Sequence, residues 1–404
     1  MPEIKLLIVH PMDIMGRKIG GIETFVRTLI KYAPENFDID FVGITTDNDR
    51  RPVGVRQEIV CKGHKISFLP LMSVKDENKR PLIPLSLKFV IRLFLNICKI
   101  EYKKRVFLFN RIESILPFRL FRNKRMLVIH TETRDMLRNP NSEVKWKYFT
   151  WLYILYEKSI IGNVDKVFVV REDTTDYYKK LYPAMKTRFA FLPTWFDKET
   201  FFPADPSDKT AVKKEFCQSL NIPPQYKLVL FAGRLESVKN PSLLIDIFRH
   251  INQEAKDTCM IIVGAGACEA KMRKTAEEYG LSDAVRFLGA KGTSDTARIM
   301  RTCDILLLAS AFEGMPRSIL ESLASGIPVV TTDVGECRRV VIDDFSGYVS
   351  KQYDAKKLAD LALRILGNPD KFSASNCVKA VSEYTAENIL KDVYNVFREL
   401  TVKQ

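Results

Sequence analysis

Along the chain, a short apolar run, a polar loop and a stretch with apolar residues at helical spacing follow one another repeatedly. In the first half the runs are Ile4–His10, Phe37–Gly43, Arg105–Asn110, Met126–His130 and Asp165–Val170. In the second half they are Lys227–Arg234, Met260–Gly266, Val285–Gly289, Asp304–Ser310 and Ile327–Thr332. Apolar runs of this length, bounded by turn residues, predict buried parallel strands, and the spaced stretches predict the helices that cover them. Strand alternating with helix predicts an α/β protein.

The segment Ala311–Glu336 concentrates the chemistry. Glu313 follows the run Asp304–Ser310, Pro316 stands in the first turn of a helix, and Ile319, Leu320 and Leu323 form its apolar stripe. Gly326 and Pro328 stop that helix, and Glu321 lies within it, seven residues separating the two glutamates. Eight residues along a helix rise about 12 Å, too far for one compact group to touch both carboxylates. An elongated ligand reaches both, with a sugar near Glu313, a diphosphate at the helix N-terminus and a ribose near Glu321. Ligands of open parallel sheets bind beyond the carboxyl ends of the strands, helix N-termini favour anions, and carboxylates accept from hydroxyls. By itself the bare spacing reads as two solvated surface glutamates on a helix, so its context decides.

That context has four parts. Arg234 and Lys239 follow Gly233 on a strand-end loop, a fork and a point charge suited to a pyrophosphate. Gly20-Gly21 precedes a helix with Phe25, Val26, Leu29 and Ile30 on its stripe, which lets backbone N–H groups approach a phosphate. Neither this diglycine nor Gly264 and Gly266 completes G-x-G-x-x-G, which argues against a dinucleotide enzyme. His130 ends its run and is the histidine best placed for chemistry, as a hydrogen-bonding group. Asp38 and Asp40 have the spacing of a metal-holding pair, but alternation puts both on the polar face of an edge-like strand, and no metal role is expected.

Glu313, Gly314-Met315-Pro316, Glu321, Gly326-Ile-Pro-Val-Val330 and Gly335-Glu336, with Gly233-Arg234 and Lys239, resemble the retaining glycosyltransferases of family 4, the glycosyl transferases group 1. Gly20-Gly21 with Glu23 matches their Gly-Gly-x-Glu loop. The likeness is strongest from Lys227 to Gly347 and weakest from Asp47 to Lys104. Arg171 stands where a serine is usual, and Leu192–Asp197 departs from the usual Pro-Asn-Gly-Val-Asp linker.

The resemblance implies a GT-B fold: two Rossmann-like parallel-sheet domains facing a cleft, with the C-terminal helix crossing back to the N-terminal domain. It implies an acceptor-binding domain of residues 1–200 plus 385–404 and a nucleotide-sugar donor-binding domain of 201–384. Arg234, Lys239, Gly20, Gly21 and the N–H groups at Gly314-Met315 would hold the diphosphate, Glu313 and His130 the sugar, and Glu321 the ribose. The implied reaction is retaining transfer from a UDP- or GDP-linked sugar to a glycan or lipid-linked acceptor in surface polysaccharide biosynthesis. It needs no metal and no cofactor beyond the nucleotide-diphosphate sugar itself. Rival classes are an epimerase on the same fold and a non-catalytic sugar-nucleotide-binding assembly protein.

Length and composition narrow the picture further. The 404 residues suit two domains, and 46% hydrophobic with 28% charged residues describes a soluble globular protein. No signal peptide is expected, and the longest apolar segment, Leu82–Ile100, is interrupted by Lys88, Arg92 and Lys99, so it does not read as a membrane span. Eight scattered cysteines without a C-x-x-C pair argue against a zinc site or disulfide framework and for a reducing cytosol.

Of the net charge of +14, nearly all lies in residues 1–203, which hold 36 Lys+Arg against 23 Asp+Glu. From Leu87 to Arg125, eleven basic residues meet two acids. Phe89, Val90, Leu93, Phe94 and Ile97 recur there at helical spacing. Two readings stand: a core helix with a solvated outer face, or docking on an anionic membrane at the inner face of the plasma membrane. A helix from Glu143 to Ile161, rich in Trp and Tyr, suits either core or interface. No nucleic-acid motif is present.

Overall fold

The computed structural model describes residues 3–16, 18, 20–77, 83–130 and 150–403. Residues 143–149 of the helix expected from Glu143 to Ile161, with Trp146, Tyr148 and Phe149, lie outside them. Contacts divide the chain into two compact units, Met1–Pro193 with Glu387–Gln404, and Thr194–Ala386.

The first unit is built on β1 (Ile4–Val9), β2 (Phe37–Thr45), β3 (Gln57–Cys61), β4 (His64–Ser73), β5 (Arg105–Phe109), β6 (Arg125–Ile129), β7 (Lys166–Val169) and β8 (Phe189–Phe191). They form one sheet in the order β3-β4-β2-β1-β5-β6-β7-β8. Every pairing is parallel except β3 with β4, whose hairpin turns through Lys62 and Gly63 at positive φ. Strands β5 and β6 are buried along their whole length. That explains their unbroken apolar runs: a parallel sheet is covered on both faces.

The expected edge strand at Asp38–Asp40 is corrected. Strand β2 lies inside the sheet between β4 and β1, and Asp40 is fully buried. Arg56 pairs with its carboxylate and also donates to Ser67 Oγ at 2.9 Å. Burial pushes the Asp40 pKa up while Arg56 opposes the rise. Alternation records polarity and not a cross-strand partner, so a neutralised interior carboxylate reads as an outward one. The helix Leu85–Leu95 differs as well. Phe89, Val90 and Leu93 face the core, but Phe94 is exposed and Ile97 only half-buried.

The terminal helix Ala386–Val402 belongs to the first unit from Glu387 on. Leu390, Val393 and Phe397 are buried, and Tyr394 Oη donates to the carbonyl of Leu29 at 2.6 Å. The Tyr394 and Phe397 rings meet Phe37 edge-on, at 5.4 and 6.1 Å.

The second unit is an all-parallel sheet of β9 (Lys227–Ala232), β10 (Thr258–Val263), β11 (Val285–Phe287), β12 (Ile305–Leu308), β13 (Val329–Thr332) and β14 (Gly347–Ser350). Its order is β11-β10-β9-β12-β13-β14. Phe196 and Phe201 pack in its core. Phe196 N donates to Tyr384 O and Ala386 N to Phe196 O, so the chain enters and leaves this unit side by side. Among the described residues, no helix is long and apolar enough to cross a membrane.

Truncation after Ala386 removes Leu390, Val393, Tyr394 and Phe397 from the first core. At about 2 kcal/mol for each buried side chain, the loss rivals a domain's whole stability of about 5–15 kcal/mol. Hydrogen exchange on the truncated chain should show β1 and β2 amides unprotected while β9 and β12 stay protected. Protection of β1 and β2 equal to the parent's would refute this anchoring.

Candidate active site

In the second unit, the loop after β12 carries Glu313. Its backbone is tied from several directions: Thr332 Oγ1 donates to Ser310 O at 2.7 Å, Ala311 N to Val238 O at 2.8 Å, and Glu336 N to Gly314 O at 3.0 Å. Gly335 has φ +52°, and a Cβ there would lie inside contact distance of the Gly314 carbonyl, so only glycine fits. Met315 is buried in the core beneath the loop. These ties fix the direction of the Glu313 side chain.

Lys239 pairs with Glu313 Oε1, and Ser310 Oγ donates to the same oxygen at 2.9 Å. Oε2 has no partner among the described residues and is open to a hydroxyl donor. Lys239 ends a short 3-10 turn, Ser237–Lys239, just past the exposed Arg234, whose guanidinium has no hydrogen-bonding or charged partner among the described residues. Gly264 and Gly266 serve this loop too. Gly264 has φ +148°, and a Cβ at either position would strike the backbone of Gly233 or Leu235. The glycines read in the sequence as an incomplete dinucleotide fingerprint therefore seat the Arg234 loop.

The helix Arg317–Ala324 begins two residues after Met315. The N–H groups of Gly314 and Met315 have no acceptor among the described residues, which leaves them available to an anion. Glu321 sits one turn past Arg317, 3.5 Å from its guanidinium, with a side chain 14% exposed. Burial raises its pKa, and Arg317 opposes the rise. It is a shielded carboxylate with one cationic neighbour.

In the first unit, Gly20 caps the helix Gly21–Lys31, and nothing lies within 4 Å of a Cβ built on Gly21, an open approach to the helix N-terminus. Arg27 holds the preceding loop by donating to four carbonyls, of Asp13, Ile14, Gly16 and Lys18. Lys18 pairs with Glu23 at 2.7 Å. His130, after β6, lies with Nε2 2.8 Å from Asn110 Oδ1, the arrangement of an Nε2–H donor, and its ring meets Phe25 edge-on at 4.9 Å.

Pattern reasoning missed the neighbours of His130. Val9 pairs with Phe109, so His10 and Asn110 leave β1 and β5 side by side. Both are buried, and His10 Nδ1, Asn110 Nδ2, Arg111 Nε and Ser114 Oγ are buried polar atoms without a partner among the described residues. Such atoms call for water or a ligand. The strand-end position that singled out His130 would have found His10 as well. Among the described residues, no group of three or more His, Cys, Asp or Glu is placed to hold a metal ion.

Residues 212–383 match the family described as Glycosyl transferases group 1. This part of the chain is a glycosyl transferases group 1 domain. Arg234, Lys239, Glu313, Gly314, Met315 and Glu321 all fall inside it, whereas Gly20, Gly21 and His130 lie outside the matched range.

The chain is 26% identical over 253 residues to a D-inositol 3-phosphate glycosyltransferase of Corynebacterium urealyticum, covering 60% of this chain and 59% of that one. It is 28% identical over 234 residues to a poly(glycerol-phosphate) alpha-glucosyltransferase of Bacillus subtilis, covering 57% and 32%. The chain thus spans about half the length of the curated relatives it matches, 46% to 59% in the first three. Among solved structures, a sucrose-phosphate synthase from Thermosynechococcus elongatus superposes with a TM-score of 0.77 over 100% of both chains at 19% identity. Anabaena HepE in complex with UDP and glucose superposes with a TM-score of 0.71 at 16% identity, over 98% of this chain and 100% of that one. The fold is GT-B.

The buried His10 gives the first unit a pH signature. Burial first, then the charges of Arg111, His130 and Lys18, hold its pKa well below the ordinary value, so the folded imidazole stays neutral. Below about pH 6.5 the unfolded chain takes up a proton that the folded chain refuses. Stability therefore falls with falling pH, by about 1.4 kcal/mol per pH unit from this group. Denaturant titrations from neutral pH to about pH 5 should show a shallower fall in His10→Asn, and parallel curves would contradict this assignment.

Proposed function

We propose that the protein is a retaining glycosyltransferase that moves a sugar from a nucleoside-diphosphate sugar to a glycan or lipid-linked acceptor in surface polysaccharide biosynthesis. The observation that carries this reading is Glu313, held between Lys239 and Ser310 at a strand's carboxyl end, eight residues before the shielded Glu321. Uridine is the preferred base, because similar folds have been solved with UDP bound. Relatives named for inositol phosphate and poly(glycerol-phosphate) acceptors favour a polar, anionic acceptor.

In the proposed reaction, Arg234, Lys239 and the N–H groups of Gly314 and Met315 stabilise charge growing on the leaving diphosphate. Gly20 and Gly21 are assigned to the same phosphates. Two protein cations supply the positive charge, so no bound metal is required. Glu313 Oε2 accepts a sugar hydroxyl, His130 hydrogen-bonds the sugar and Glu321 accepts from the ribose. The acceptor oxygen attacks the anomeric carbon on the face the diphosphate leaves, and its proton passes to the diphosphate. The new glycosidic bond thereby keeps the configuration of the broken one. Two rivals differ in outcome: an epimerase releases no nucleoside diphosphate, and a binding protein turns nothing over. We place the reaction on the cytoplasmic side of the plasma membrane, with peripheral contact to its anionic surface.

Glu313→Ala, Arg234→Ala and Lys239→Ala should each lower transfer at least about 100-fold with the parent's melting temperature retained. Nucleoside diphosphate release with and without acceptor is the measurement. Parent-like turnover in any two variants would overturn the assignment.

Glu321 adds a pH dependence. Only its ionised form is a pure acceptor for ribose hydroxyls, and burial has raised its pKa, so nucleoside affinity should rise with pH above the ordinary carboxylate range. Calorimetry with uridine, which carries no phosphate to titrate, should show that rise in the parent and a flat profile in Glu321→Gln. The same slope in both would remove Glu321 from the ribose site.

A further inference from the structure

The helix Leu85–Leu95 has two apolar faces. Phe89, Val90 and Leu93 fill the core, while Leu87, Ile91, Phe94 and Leu95 are 51, 51, 49 and 72% exposed on the outer side. At about 100° per residue these four fall within one strip of the helix, and Lys88 and Arg92 border it. Ile83, just ahead, is 51% exposed, and Lys99, Lys103 and Lys104, all exposed, follow. The 3-10 helix Ile112–Phe118 packs against this helix. Beyond it, Leu120 stands 95% exposed beside the exposed Arg119, with Arg122 two residues on.

Single exposed apolar residues are ordinary, but a cluster rimmed by charge marks a docking site. Of nineteen large exposed apolar side chains among the described residues, seven lie between Ile83 and Leu120. The segment's charge selects the occupant. The exposed cations of this segment, Arg92, Lys99, Lys103, Lys104, Arg119 and Arg122, would repel a second copy of the same face, while Arg105 and Arg125 are buried. A soluble polyanion would use the cations and leave Leu87, Ile91, Phe94 and Leu95 in water. An anionic bilayer uses both: apolar side chains enter at the headgroup level while the cations meet lipid phosphates.

We infer that the outer strip Leu87-Ile91-Phe94-Leu95, flanked by Lys88 and Arg92, is the surface by which the protein docks on an anionic membrane. This rests on the membrane-side placement proposed above and names the residues that make the contact. It also gives the apolar outer face a role that packing within the unit does not.

The test is co-sedimentation of the full chain with phosphatidylcholine vesicles, with and without phosphatidylglycerol. The parent should bind the anionic vesicles at least tenfold more tightly than the neutral ones. Ile91→Glu with Phe94→Glu should weaken that binding at least tenfold, and Lys88→Glu with Arg92→Glu similarly, at about fivefold or more per cation lost. Val60→Glu, an exposed apolar position on β3, should bind as the parent does. Parent-like melting in every variant establishes that the fold is intact. Absence of parent binding, or equal binding by all variants, overturns the inference. So does a parent dimer that Ile91→Glu with Phe94→Glu converts to monomer without altering vesicle binding, which would assign the face to a second copy. No donor sugar is present in this assay, so its failure leaves the proposed transfer reaction standing, and inactive Glu313→Ala that still binds vesicles isolates failure of the other kind.

Discussion

The ion pair between Lys239 and Glu313 is the contact on which the candidate site depends. It joins the loops after β9 and β12, the two strands at the middle of the second sheet, and Ser310 supports the carboxylate from below. In water such a pair is worth little, about 0–1 kcal/mol. Its value is positional. Backbone ties at Gly314 and Ala311, and the glycine at 335, hold the acid where one oxygen is neutralised and the other is free. A carboxylate so placed approaches a sugar hydroxyl without first reorganising.

The first unit applies the same geometry with different groups. Its strands also end together, and the side chains there are His10, Asn110 and His130 rather than acids. Burial and the cations around it together keep His10 neutral. His10 Nδ1 and Asn110 Nδ2 have no partner among the described residues, and a buried polar group left so costs about 1–3 kcal/mol. A bound water or a polar ligand would offset it. Interior polar groups of this kind are how a site discriminates hydroxyl-rich ligands from apolar ones.

Much of this was legible in the residues. Glu313, Glu321, Arg234 and Lys239 could be found because each sits next to a run whose direction and end are plain from its apolar pattern. The hairpin of β3 and β4 was not legible. Its pairing is antiparallel, its turn uses Lys62 and Gly63, its outer strand β3 is half exposed with no continuous apolar run, and Pro70 interrupts the apolar run of β4. Asp40 was misread because its partner Arg56 lies sixteen residues away across a strand. Periodicity grouped Phe94 with Phe89, Val90 and Leu93 and left the core and membrane readings both open, because it marks apolar positions, whereas burial depends on which neighbour covers them.

Local pattern was enough for two α/β units, for the parallel pairing implied by strand–helix alternation, and for the residues at the strand ends of the second unit. Each of these follows from local periodicity and turn chemistry within a few dozen residues. Tertiary structure alone decided which oxygen of Glu313 is free, that His10 joins Asn110 and His130, that the terminal helix completes the first core, and that one helix carries an apolar face outward. Those outcomes depend on contacts between residues far apart in the chain, where burial and charge are set by the neighbour that arrives and not by the residue itself.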